Sequence, residues 1–325
     1  MNEHKILQVE GLKMHFPLSG GFMKQSSAVV KAVDDVSFDL FAGETFGLVG
    51  ESGCGKTTTG KCVLRILNPT SGSILYRGTE LCGMNAQQLK PYRRKIQMIF
   101  QDPYGSLDPR QSVASIIREA LTTGQPPQPL RIVKERTDEL LATVGLDPAL
   151  GERYPHEMSG GQRQRLGIAR ALACDPELIV CDEPVSALDV SIQAQIVNLF
   201  EDLQQRLGLS YLFIAHDLAV VRHISKNIAV MYLGNIVEMT GSDQLYSHPL
   251  HPYTQALLSA IPITNYYAEK KRERIILEGD VPSPIRVPEG CPFHPRCRYA
   301  TERCRRAKPD LRQVDTRHKV ACHLV

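Results

Sequence analysis

Long apolar runs are missing from this chain of 325 residues. No stretch of about 18 consecutive apolar residues occurs, so no part of it is expected to cross a bilayer as a helix. The opening, MNEHKILQVE, holds no extended apolar core, so a secretory signal is not expected. Neither sign of charge is in excess. The 38 Lys and Arg residues against 35 Asp and Glu leave a formal +3, which gives no footing for a nucleic-acid surface or partner. Cys54, Cys62, Cys82, Cys174 and Cys181 are scattered, and in a chain without an export signal they read as free thiols. The length allows a full core and more than one domain.

What the chain has is a set of short motifs in a fixed order. Residues 50–57 read GESGCGKT, the pattern of a phosphate-binding loop carried by Gly50, Gly55, Lys56 and Thr57. A buried strand is expected over 45–49 and a helix over 56–67, which is the context that motif needs. Glycines let successive backbone N–H groups turn inward around phosphate oxygens, and the helix start adds unpaired N–H groups. Glu51, Ser52, Gly53 and Cys54 complete the cradle. Lys56 is expected to reach the β- and γ-phosphates of ATP. The Thr57 hydroxyl is expected on Mg2+, with Thr58 on the same turn. Further on, LIVCDE ends an apolar strand in Asp182 and Glu183. Acidic groups at the C-terminal end of a parallel strand sit where such sheets bind ligands. Asp182 is placed to hold magnesium, and Glu183 is the candidate general base for water. The segment SGGQ, at Ser159, Gly160, Gly161 and Gln162, opens a helix and offers a second anion-binding end. Taken alone it would read as an ordinary serine cap.

With these motifs the chain resembles the ATP-binding-cassette superfamily. The resemblance implies that SGGQ of one subunit closes on the γ-phosphate held by another. Met158 stands where that family usually has Leu or Phe. By the same resemblance Gln101 is the glutamine that senses magnesium and water and follows the membrane partner. SALD at 186–189 is the segment crossing the dimer interface, His216 is the switch histidine on the γ-phosphate, and Phe16 stacks on adenine. Catalysis is thus expected from Glu183, His216 and Gln101, and magnesium binding from Thr57, Gln101 and Asp182.

Periodicity supplies the organisation. Short strands are expected at 7–12, 33–40 and 73–76, and parallel strands at IQMIF, LIVCD, YLFIA and IAVMYL. Between LIVCD and YLFIA, Ile192, Ile196, Leu199, Leu203 and Leu207 place a stripe on one helical face. Residues 113–145 are helical in pattern but broken by GQPPQP. The expected fold is α/β: a P-loop, RecA-like core with an antiparallel β-subdomain and a helical subdomain inserted at about 106–171. The expected domains are an ATPase over 1–258 and an extension over 259–325.

The segments DPYGSLDPR, HPYTQALL and EGDVPSPIRVPEGCPF resemble the oligopeptide and dipeptide importer ATPases, most nearly the F-type subunits of dipeptide permeases. So does PLSGGFMKQSSAVVKAVDDVSF, where an insertion separates the first two strands. Related ATPases serve dipeptides, oligopeptides, nickel and haem precursors. The resemblance implies two integral-membrane permease subunits, a paralogous ATPase forming a heterodimer, and, indirectly, a periplasmic or extracellular solute-binding protein. It implies a peripheral place on the cytoplasmic face of the inner membrane.

The tail carries Cys291, Cys297, Cys304 and Cys322, with 5, 6 and 17 residues between them. It has too little apolar content to build a core of its own, and a bound metal would supply a cross-link. Four thiolates suit Zn2+ or an iron–sulfur cluster. No C-x2-C pair occurs, which leans away from a zinc ribbon, and the family resemblance implies a 4Fe-4S cluster. Free thiols remain the plain alternative. His294, His318 and His323 are possible substitute ligands. The arginines at 296, 298, 303, 305 and 306 face solvent, offset a cluster's charge, or touch a partner.

Overall fold

The structure, a computed structural model, describes residues 4–18, 29–261 and 274–325, without the side chains of Pro103 and Tyr104. Most of the insertion expected between the first two strands, at 19–28, lies outside the described residues. The strands are β1 Lys5–Pro17, β2 Val29–Phe41, β3 Thr45–Val49, β4 Ser71–Tyr76, β5 Thr79–Glu80, β6 Ile96–Ile99, β7 Leu178–Asp182, β8 Ser210–Ala215, β9 Asn227–Tyr232, β10 Asn235–Gly241, β11 Arg312–Asp315 and β12 His318–Val320. The helices are α1 Lys56–Val63, α2 Ala86–Lys95, α3 Pro103–Ser106, α4 Val113–Thr122, α5 Leu130–Thr143, α6 Gly160–Leu172, α7 Val190–Leu207, α8 Leu218–Ile224, α9 Ser242–Ser247, α10 Pro252–Ser259 and α11 Glu302–Arg306. None among the described residues is long and apolar enough to cross a membrane.

The chain forms two compact units. One holds Gly83–Ile214 with Phe41–Glu44 and the first residues. Its strands β6, β7 and β8 lie side by side and parallel, Ile96 opposite Leu178 and Leu178 opposite Ser210. Every residue of β7 and β8 is buried, as continuous apolar runs in a covered parallel sheet require. Helix α7 buries Ile196, Val197, Phe200 and Leu203. Phe200 meets Tyr211 and Phe213 edge-on at 5.3 and 5.9 Å between ring centres. The buried face is therefore displaced from the expected stripe. Ile192 and Leu199 are half-buried and Leu207 is 53% exposed, because the aromatic contact at Phe200 sets the rotation. In the same unit α4, α5 and α6 pack together around Ile117, Leu141, Leu166 and Ile168. The break between α4 and α5 falls at the Pro-rich GQPPQP, as expected.

The other unit holds Leu7–Leu40, Thr45–Cys82 and Ala215–Val325. Here β2, β1, β4 and β5 form an antiparallel layer in that order, with Leu7 opposite Tyr76. Strand β1 is longer than its apolar core because the pairing continues past a bulge to Lys13. Strand β3 runs parallel to β9, Phe46 opposite Asn227, and β9 continues antiparallel into β10, β12 and β11. Helix α1 stops at Val63, short of the expected residue 67, because Arg65 turns to φ +53°. The tail adds β11 and β12 to the sheet and buries Phe293 and Val320. Burial on a surface made by the rest of its unit thus supplies part of the core that the tail's own composition lacks.

Candidate functional site

The loop between β3 and α1 is the best-defined element of the site. Gly50 has φ +153° and Gly55 φ +107°, conformations that side chains avoid. A Cβ at Gly50 would stand 2.2 Å from the Met231 carbonyl oxygen, and one at Gly55 would stand 2.1 Å from that of Ala32. Both glycines are therefore fixed by backbone packed against the loop. Lys56 is only 4% exposed, and its ammonium donates to the carbonyls of Gly50 (2.8 Å) and Glu51 (3.0 Å). It lies folded back on the loop, with the Cys54 sulfur also near its ammonium at 3.9 Å. The Thr59 hydroxyl donates back to Gly55 O at 3.0 Å and braces the first turn. Cys54 is buried beneath the loop, and that burial raises its thiol pKa although Lys56 opposes the shift.

Glu51 was expected only as part of the cradle, yet it is held at three points. Its N–H donates to the Tyr253 hydroxyl at 2.9 Å, its carbonyl accepts from Lys56, and both carboxylate oxygens accept from Arg296. Tyr253 is the tyrosine of the HPY segment, so that segment acts on the loop. His251, next to it, is buried and lowered to a pKa of about 3 by that burial. Its Nδ1 accepts from the Tyr253 N–H at 3.1 Å.

The acidic end lies in the unit that contains α7. Asp182 is 3% exposed and Glu183 is half-buried. Glu183 has φ +45°, rare for a residue with a side chain, and the strain is held by Glu183 N–H to Ile214 O at 2.9 Å. The Ser186 hydroxyl donates to Glu183 O at 3.0 Å, which ties SALD to the acidic pair. Gln101 donates from Nε2 to Glu183 Oε2 at 2.9 Å, so those two expected residues meet.

Ser159 caps α6 in both directions. Its hydroxyl accepts from the Gln162 N–H at 3.3 Å, and its own N–H donates to Gln162 Oε1 at 3.0 Å. The plain capping role is real, and it leaves Gly160 and Gly161 at the open end of a 13-residue helix. Met158 is buried beneath this turn, so the family departure at that position is a packing choice. His216 is exposed and directly follows β8, and Asp217 caps α8 at 2.7 Å. Phe16 is half-buried near the end of β1. Neighbouring His15 is bonded to Asp34 at 3.1 Å.

All four tail cysteines are free thiols, and Cys291, Cys304 and Cys322 are buried. Cys291 donates its N–H to Cys304 O at 2.8 Å. Burial pushes the Cys291 thiol up to about 11, and the other three thiols add to the rise. Burial, Cys322 and Cys304 act in the same direction on Cys297. The four therefore stand within electrostatic reach of one another. Among the described residues, no group of three or more His, Cys, Asp or Glu side chains has the closeness a metal ion needs. That supports neither the zinc nor the 4Fe-4S reading of the four thiols. The expected substitute ligands are engaged elsewhere: His294 bonds Cys291 O, His318 bonds Glu238 and His323 bonds Ala307 O.

Comparison with known proteins agrees over the whole chain. A family described as ABC transporter matches residues 33–186, and one described as oligopeptide/dipeptide transporter, C-terminal region, matches residues 237–304. The second match includes Tyr253, Arg296 and three of the tail cysteines. The oligopeptide transport ATP-binding protein AppF of Bacillus subtilis (strain 168) is 52% identical over 324 residues, covering 99% of this chain and 98% of its own. The oligopeptide transport ATP-binding protein OppF of Escherichia coli (strain K12) is 50% identical over 319 residues, covering 98% of this chain and 95% of its own. Among solved structures, cbiO1 from Clostridium perfringens, part of the ABC transporter complex cbiONQ, matches with a TM-score of 0.64 at 26% identity. That match covers 76% of this chain and 92% of the other.

Proposed function

The chain belongs to the ATP-binding-cassette transporter family, in its oligopeptide and dipeptide importer branch, and we propose that it is the ATP-hydrolysing subunit of a peptide importer. The observation that carries this is end-to-end likeness, 52% identity over 99% of the chain, to a protein named for oligopeptide transport. The ordered motifs and the glycine geometry of the loop support the same activity.

The roles follow from the chemistry of each group. Residues 50–55 offer backbone N–H groups to the phosphates, Lys56 adds charge, and Phe16 takes the adenine face. Thr57, Asp182 and Gln101 would hold magnesium, with Thr58 supporting the same turn. When bound, the ion neutralises phosphate charge and orients the γ-phosphoryl group. Glu183 removes a proton from water as the new P–O bond forms and the bond to the β-phosphate breaks. Gln101 orients that carboxylate, and His216 holds the γ-phosphate. Ser159, Gly160, Gly161 and Gln162 of a second subunit complete each site. Charge stabilisation by fixed donors is the main catalytic term.

The solute path is assigned to two integral permease subunits, reached near Gln101 and Asp102. A paralogous ATPase is assigned opposite this chain, on the cytoplasmic face of the membrane, with a solute-binding protein acting from the other side. The ATPase domain is assigned to 1–258 and the extension to 259–325. Cys291, Cys297, Cys304 and Cys322 are assigned to a 4Fe-4S cluster, which would supply a cross-link in a tail of low apolar content. Their mutual electrostatic reach supports that set. Iron and sulfide analysis of protein purified without oxygen tests it, and four alkylatable thiols with no metal would remove it. The functional reading is tested by purification from a detergent extract. Two integral proteins and a second ATPase are expected to co-purify, whereas ribosomes or DNA in their place would overturn it.

A further inference from the structure

The cysteine tail reaches the phosphate loop through one side chain. Arg296 lies in the short turn between Cys291 and Cys297, and its guanidinium meets both carboxylate oxygens of Glu51, at 2.7 and 3.1 Å. The two residues are 245 positions apart. The Arg296 side chain is 7% exposed and that of Glu51 29% exposed, so water screens this two-pronged pair less than it would a surface pair. Phe293, in the same turn, packs at 5.3 Å from Tyr232 and 5.4 Å from Tyr253, the residue that holds the Glu51 N–H.

The turn is rigidly connected to the thiols. The N–H of His294 donates to Cys291 O, that of Arg296 to Phe293 O, and that of Cys297 to His294 O. Arg296 is therefore placed by the fold of the segment that carries two of the four cysteines. At the loop it does two things. It holds the side chain of the residue whose carbonyl accepts from Lys56, and it offsets a carboxylate that would otherwise repel an anionic polyphosphate.

We propose that Arg296 is a positioning residue for the phosphate loop, acting through Glu51, so that nucleotide affinity at residues 50–57 depends on the folded tail. This rests on the reading of that loop as the nucleotide site. It gives the tail a role in the ATPase cycle itself, beyond holding its own shape.

The test is a double-mutant cycle on the full chain, titrating a fluorescent ATP analogue and recording both the dissociation constant and the number of sites. Arg296→Ala is expected to weaken binding by about tenfold, the scale of leaving one charged partner unpaired, with the site number unchanged. In a Glu51→Gln background the same change should cost less than about twofold, since the carboxylate it compensates is gone. Arg296→Lys should recover part of the affinity, and it keeps the experiment decisive if the alanine variant folds poorly. Equal losses in both backgrounds, or no loss at all, would overturn the clamp. A reduced site number at unchanged affinity would also overturn it, because that signals lost folding alone. Lys56→Ala separates the two readings: if it binds the analogue as tightly as the wild type, the loop assignment fails, and the clamp with it.

Discussion

Glu183 is the one residue in LIVCDE whose backbone leaves the extended region, at φ +45°, and that turn sets where its carboxylate points. Such strain costs on the order of 1–3 kcal/mol and persists only when surroundings hold it, here the Ile214 carbonyl and the Ser186 hydroxyl. Glu183→Gln keeps the shape and the Gln101 contact but cannot take a proton. Turnover in the assembled transporter is expected to fall by about 100-fold or more, with ATP binding retained, as read by single-turnover hydrolysis and nucleotide titration. Near-normal turnover would remove Glu183 as the base. Gly55→Ala tests the loop at the same scale. Its Cβ would sit 2.1 Å from Ala32 O, so the variant is expected to lose nucleotide binding while its spectroscopic secondary structure persists. The loop was legible in the sequence because its glycines and lysine fall within eight consecutive residues. The Glu51–Arg296 pair was not. Arg296 stood among five arginines within residues 296–306 with no local pattern to single it out, and only the fold brings it across 245 residues.

Elements carry a second kind of information, since each is shaped by what covers it. The α6 start satisfies its own cap through Ser159 and Gln162, and Gly160 and Gly161 are half-buried at that start, where a Cβ on Gly161 would stand 2.8 Å from Ile192. Ser159→Arg is expected to cost about 1 kcal/mol of stability through the lost cap, yet to block hydrolysis at the site held by the opposite subunit. Mixed complexes, with only one subunit altered, decide this; loss confined to the altered subunit's own loop would contradict it. The start of α10 makes a pH prediction. His251 is lowered to about 3 by burial and accepts a bond in its neutral form. Its contribution is therefore complete above its unfolded pKa near 6.5 and is lost as pH falls from there towards 3, by up to about 1.4 kcal/mol per pH unit. Urea midpoints at pH 7 and 5 should diverge more for the wild type than for His251→Asn; equal divergence would refute the assignment. The sequence was less reliable at this scale. Apolar spacing located α7, but not that Phe200 between Tyr211 and Phe213 would set its buried face. Spacing also extended α1 past Arg65, because a positive φ leaves no mark on hydrophobic periodicity.

At the scale of the molecule, the chain carries one phosphate loop and one SGGQ helix start, and in the proposed assembly a complete site takes one of each from different subunits. Its tail pairs β12 with β10 and grips the loop through Arg296, so residues at the far end of the sequence touch the Gly50–Thr57 loop. In the proposed transporter, ATP hydrolysis by this chain drives peptide entry through partner permeases. The direct measurement is uptake of a labelled peptide into vesicles holding the complete transporter and its solute-binding protein, with ATP on the side of this chain. Wild-type complexes should accumulate peptide only with ATP, and complexes carrying Glu183→Gln should not accumulate it at all. Peptide uptake that proceeds equally with the variant, or without ATP, would show that hydrolysis by this chain does not drive it.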